Sequence, residues 1–100
     1  MPRKPSNYRL LPLARADLEE IWLYTLKTWS VTQADTYHRT LVNAFEALAA
    51  GTREGGNVDH IRRGYFRLAV GSHFIFYRES GEAIGIVRVL HKRRDTERHL

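Results

Sequence analysis

One hundred residues, 43 % of them apolar and none of them cysteine, suffice for a single domain over residues 1–100, burying roughly 60 to 70 % of its unfolded surface. The missing thiols exclude a disulfide framework and thiolate metal sites, and no apolar run approaches the ~18 residues of a membrane helix. The polar start, Met1 to Asn7 with Pro2 and Pro5, has no signal-like apolar stretch, so the expected location is cytoplasmic.

The net charge of +5 is uneven. Residues 1–50 carry six basic and five acidic side chains, residues 51–100 ten and six, so a basic partner surface belongs to the C-terminal half. Arginine outnumbers lysine thirteen to three, which favours planar, bidentate pairing with carboxylate or phosphate.

Tyr8-Arg9-Leu10-Leu11 reads as a short strand stopped by Pro12. From Ala14 to Trp29, the residues Ala14, Leu18, Ile21, Trp22, Thr25 and Trp29 recur at helical spacing on one face about 100° wide. Ser30-Val31-Thr32-Gln33 matches a capping box for a second helix. Its apolar stripe is Ala34, Tyr37, Leu41, Ala44, Phe45 and Leu48, and Gly51 ends it. The near-absence of a linker predicts an antiparallel helical hairpin.

Gly51 to Gly64 reads as a loop. Tyr65 to Val70, Ser72 to Glu79 and Ala83 to Leu90 then switch to strand texture, separated by Gly71 and Ser80-Gly81-Glu82 as in an antiparallel meander. Lys92 to Leu100 is a polar, basic tail. The fold class is therefore α+β in the order β-α-α-β-β-β, with a helical hairpin packed on a small, mostly antiparallel sheet.

Two apolar excesses bear on function. His73-Phe74-Ile75-Phe76-Tyr77 and Ile86-Val87-Arg88-Val89-Leu90 are apolar on both parities, so the sheet face away from the helices needs a cover: the tail, a second copy or a partner. Leu23 and Leu26 likewise extend apolar surface around the first helix from Trp22.

Catalytic constellations are sparse. Ser72 and His73, as strand neighbours, point to opposite faces and make no nucleophile–base dyad. The histidines at 38, 60, 73, 91 and 99 show no HExxH pattern and no helical i, i+4 pair, so no metal site is expected. Asp17 and Glu20 read, with Lys27, as the solvated face of an amphipathic helix. The glycines from Gly51 to Gly56 lack the Gly-Lys-Ser/Thr ending of a phosphate loop. What remains is an arginine set, Arg62, Arg63, Arg67, Arg78 and Arg88, followed by His91-Lys92-Arg93-Arg94, suited to a phosphodiester or an acidic peptide.

Five fragments, in order, resemble the RelE/ParE toxin superfamily and its ParE branch in particular. They are Leu13 to Trp22 with Tyr24, Gln33-Ala34-Asp35, Ile61 to Tyr65, Val70 to Arg78, and Ile86 to His91 continuing to Arg98-His99-Leu100. The resemblance implies a toxin of a type II toxin–antitoxin pair, held as a hetero-oligomer by a ParD-like antitoxin whose acidic C-terminal segment wraps it. It further implies DNA gyrase as the target, poisoned by binding, with no catalytic residue and no cofactor.

Antitoxin contacts are then expected at Trp22, Leu23, Leu26, Arg67, Phe74, Phe76, Arg78 and Arg88. Target contacts are expected at His91, Lys92, Arg93, Arg94, Arg98 and His99. The alternative is a ribosome-dependent messenger RNA interferase of the RelE kind. It needs a base, a cation and an acid around one phosphate. The segment from Arg93 to Leu100 has no tyrosine, leaving His91 or His99 with Arg67 for those roles. A sequence-specific DNA-binding module is disfavoured, because the exposed face of the second helix offers Thr36, Arg39, Thr40, Asn43 and Glu46, with one arginine among them.

Overall fold

The computed structural model describes residues 7–100; the polar start with Pro2 and Pro5 lies outside the described residues. A first strand, β1 (Asn7–Leu10), leads into two long helices, α1 (Pro12–Thr28) and α2 (Val31–Ala50). A two-residue strand β2 (Gly56–Asn57) is followed by β3 (Phe66–Val70), β4 (His73–Ser80), β5 (Ala83–His91) and one helical turn, α3 (Thr96–His99). The sheet runs β1-β5-β4-β3-β2, with β1 parallel to β5 and every other pair antiparallel. This is the α+β arrangement expected from the sequence, with β2 and α3 added inside segments that read as loop and tail.

The helix boundaries follow from local chemistry. Pro12 occupies the first turn of α1, where a missing N–H leaves nothing unsatisfied, while the Leu11 N–H donates to the Ile86 carbonyl at 3.0 Å. The Ser30 hydroxyl accepts the Gln33 N–H at 3.0 Å and starts α2. Gly51 closes that helix at φ 79°, a conformation in which a side chain would be strained.

The main core lies between the hairpin and the sheet. Ala14, Leu18, Leu41, Phe45 and Leu48 pack against Ile75, Tyr77, Ile84, Ile86 and Val89. Each large side chain enclosed there contributes about 1.5–3 kcal/mol. Trp29, counted in the apolar stripe of α1, is instead 70 % exposed. It is the C-terminal cap, with its backbone off the helical path, so helical periodicity no longer aims its ring at the core.

The outer face of the sheet is covered by the chain itself. Val58, Phe76 and Leu90 form a second buried cluster, flanked by Ile61, Tyr65, Phe74 and Leu100. The covering loop is stitched down by its own polar groups. The Val58 N–H donates to the Tyr65 carbonyl at 2.9 Å, the Gly64 N–H to Asp59 Oδ1 at 2.7 Å, and the Asp59 N–H to Asn57 Oδ1 at 2.8 Å. Arg62 Nη1 donates to the Leu100 carbonyl oxygen and draws the tail over the same cluster.

Candidate functional site

Asp17 departs most from the sequence reading. It is not on a solvated face: it is 5 % exposed, and its carboxylate meets β5 beyond the last residue that β1 pairs. There Oδ2 accepts the Val89 N–H at 2.9 Å and the Arg88 Nε–H at 2.8 Å, while Oδ1 accepts Arg88 Nη2–H at 2.8 Å. The carboxylate thus stands in for the missing strand neighbour and pairs with the guanidinium through both oxygens. The hydrogen bond to Asp17 holds the Arg88 pKa above its ordinary value. Arg88 Nη1 goes on to the His99 carbonyl at 3.2 Å, linking α1, β5 and the tail.

A cleft of about 690 Å³ opens on the helix side, where the hairpin turn meets the start of β4 and the end of β5. Tyr24 and Trp29 form its exposed rim, and Tyr37, Ser72, His73 and His91 lie at its base. The Tyr37 hydroxyl sits 2.6 Å from His73 Nδ1, accepts the Ser72 N–H at 3.1 Å and lies 3.3 Å from the Val70 carbonyl. Gly71 makes this junction feasible, with φ 56° and a position where a Cβ would come within 2.7 Å of the Tyr37 ring. Burial, reinforced by the neighbouring His91, pushes His73 down to about 4, so it is neutral at physiological pH. Burial also raises the Tyr37 hydroxyl.

His73 and His91 are register partners with ring centroids 5.3 Å apart, yet they are poorly placed to share a metal ion. The Arg93 N–H donates to His91 Nδ1 at 3.1 Å, so a metal at Nε2 would require an imidazolate or loss of that bond. Among the described residues no group of three histidines, cysteines or carboxylates is disposed to hold a metal ion.

The residues assigned to partners separate onto different surfaces. Trp22 is half-buried and donates its indole N–H to Asp35 Oδ1 at 3.2 Å. It walls a groove of about 670 Å³ with Leu10, Arg15, Leu18, Glu19 and His38. Leu23 is exposed and Leu26 half-buried on the same helix. Arg67, Phe74 and Arg78 belong to the outer sheet face instead. Phe76, at 0 % exposure, presents no surface to a partner, and Arg88 is engaged with Asp17. The causes differ: the chain's own loop and tail enclose Phe76 by filling the face that the alternation left open, whereas a carboxylate of α1 takes up Arg88.

The tail set divides as well. His91 faces the helix-side cleft, while Lys92 lies on the outer face, its ammonium 5.6 Å from the Phe74 ring centre. Arg93, Arg94 and Arg98 are exposed, and His99 Nε2 lies 3.3 Å from Arg94 Nη2. Tyr37 and Trp29 were not assigned to any site from the sequence, because at helical spacing an aromatic reads first as core, and Tyr24 entered only through the family resemblance.

A helical hairpin on this small mixed sheet is the fold of toxins held in toxin–antitoxin complexes. The structure superposes on a chain of the chromosomal ParDE system of P. aeruginosa with a TM-score of 0.72, at 19 % identity, over 87 % of this chain and 96 % of that one. It also superposes on a chain of the toxin–antitoxin complex RelBE2 of Mycobacterium tuberculosis with a TM-score of 0.56, at 23 % identity, over 91 % and 95 %. Within that class, residues 8–96 match the family model of the ParE toxin of type II toxin–antitoxin systems, and the chain belongs to that family. Relatives called Toxin ParE1 are 50 % identical over 96 residues in Mycobacterium tuberculosis and 42 % identical over 93 residues in Caulobacter vibrioides. Those matches cover 95 % and 93 % of this chain, and 98 % and 96 % of the relatives.

Proposed function

We propose that the chain poisons DNA gyrase by binding it, so that cleaved DNA persists, and that it has no catalytic site of its own. The observation that carries this reading is the segregation of groups across the sheet. The imidazoles of His73 and His91 face the helix side, whereas Arg67 and Lys92 project from the outer face, so among the described residues these groups do not converge as base, cation and acid on one phosphate. His99 does not repair this, because its Nε2 lies 3.3 Å from Arg94 Nη2 and its lone pair accepts from that guanidinium.

A ParD-like antitoxin completes the proposal. Its seat is the groove walled by Leu10, Leu18 and Trp22 and extended by Leu23 and Leu26, where an amphipathic segment would find an apolar floor already formed. Membership of a toxin family defined by such pairs supports the partner, and a cytoplasmic setting follows from the target. Expression in cells tests the reading. DNA synthesis should stop while protein synthesis continues, and co-expression of the antitoxin should restore growth. Arrest of translation first would favour the messenger RNA interferase.

A further inference from the structure

The outer face of the sheet carries cations that neither the fold nor the antitoxin groove uses. Arg67 lies over the Phe74 ring at 4.3 Å, and Lys92 approaches the same ring at 5.6 Å, so one half-buried aromatic sets the position of two charges from β3 and the end of β5. Arg93 and Arg94 follow in the exposed turn. Among the described residues none of these four has a carboxylate within 4.0 Å; the ion pair present is Asp17–Arg88. The two segments that frame the face, residues 58–67 and 92–100, hold seven basic and three acidic side chains.

We propose that this face binds the phosphate backbone of nucleic acid without reading its sequence, with Arg67 and Lys92 as the central contacts. An acidic amphipathic peptide would need apolar area beside the charges. That area is already spent inside the protein, since Phe76 is 0 % and Leu90 1 % exposed beneath Val58, Ile61, Tyr65 and Leu100. A polynucleotide needs no such seat, because phosphate contacts and counterion release supply its affinity. Arginine and lysine pre-placed over a ring also lose less side-chain freedom on binding than free surface cations do. The inference goes beyond the gyrase reading and stands or falls without it, since the ligand is naked nucleic acid.

The test is fluorescence anisotropy of the purified chain on a labelled duplex of about 20 bp and arbitrary sequence, titrated between about 50 and 300 mM salt. Two to four neutralised phosphates predict a slope of log K against log salt of about −2 to −4. Arg67→Ala with Lys92→Ala should weaken binding at least about tenfold at the lowest salt and flatten the slope by about two. Arg67→Lys should leave the slope unchanged. The control pair Lys27→Ala with Arg39→Ala removes the same charge from the helices and should change affinity less than about twofold. Thermal melts of each variant separate lost contacts from lost folding.

Absence of binding at low salt would overturn the proposal. An equal loss in the control pair would overturn it too, since diffuse charge would then suffice. So would polyglutamate displacing the labelled duplex at lower concentration than unlabelled duplex does, which would mark the face as a seat for acidic protein.

Discussion

Asp17 and Arg88, 71 positions apart, are joined through both carboxylate oxygens at 2.8 Å, and the same carboxylate holds the Val89 N–H. Three bonds from one buried side chain fasten α1 to β5 where its edge away from β4 runs past the last residue that β1 pairs. Asp17→Ala strands a guanidinium and an amide together, and should cost about 3–5 kcal/mol in urea unfolding. The double change Asp17→Leu with Arg88→Met removes both charges and should recover much of that loss. A single-variant loss below about 1 kcal/mol would mean that the pair behaves like an exposed one.

Leu23 and Phe76 were grouped as partner contacts by the sequence, and the structure makes them opposites. Leu23→Glu changes an exposed side chain, so the isolated fold should be unaffected while antitoxin affinity falls by more than about 1 kcal/mol. Phe76→Ala opens a cavity in the outer cluster and should cost about 3–5 kcal/mol of stability. Calorimetric titration with the antitoxin and denaturant melts separate the two effects. Unchanged affinity for Leu23→Glu would remove α1 from the antitoxin site.

The His73–Tyr37 junction gives stability a pH dependence of known sign. His73 titrates at about 4 in the fold, against 6.5 ordinarily, chiefly through burial and secondly through His91. Between those values the unfolded chain takes up a proton that the fold refuses, so stability falls as pH drops from about 6.5 to about 4 and is insensitive to His73 above that window. Solvent screening at this half-buried ring limits the effect to about 1–2 kcal/mol. Melts of wild type and His73→Gln across that range should differ by this slope. Parallel profiles would assign the dependence to other histidines.

The helices, the meander and their order were legible because period 3.6 and period 2 record burial directly, and the caps at Ser30 and Gly51 are local chemistry. Asp17 was not legible. On a helical wheel it lies about 40° from Ile21, at the margin of the stripe, and a carboxylate at a margin reads as solvated unless its cation, here 71 residues away, is known. Phe76 was misassigned for a related reason. Alternation shows that a face is apolar but not what covers it, and the cover comes from a loop whose glycines and charges read as solvent-facing. The split of imidazoles from cations depends on strand register, with His73 opposite His91 and Arg67 opposite Phe76, which composition does not carry.

Purified gyrase and supercoiled DNA, incubated with the chain and then denatured, test the central claim most directly, with programmed ribosomes run in parallel on the same preparation. The account predicts accumulation of gyrase-cleaved DNA, intact messenger RNA, and activity in His91→Ala with His99→Ala reduced by no more than the few kcal/mol of lost contacts. A catalytic base or acid removed from a ribonuclease would instead lower its rate by about two to four orders of magnitude. Site-specific messenger RNA cuts that vanish in the double variant, with no cleaved DNA from gyrase, would contradict it.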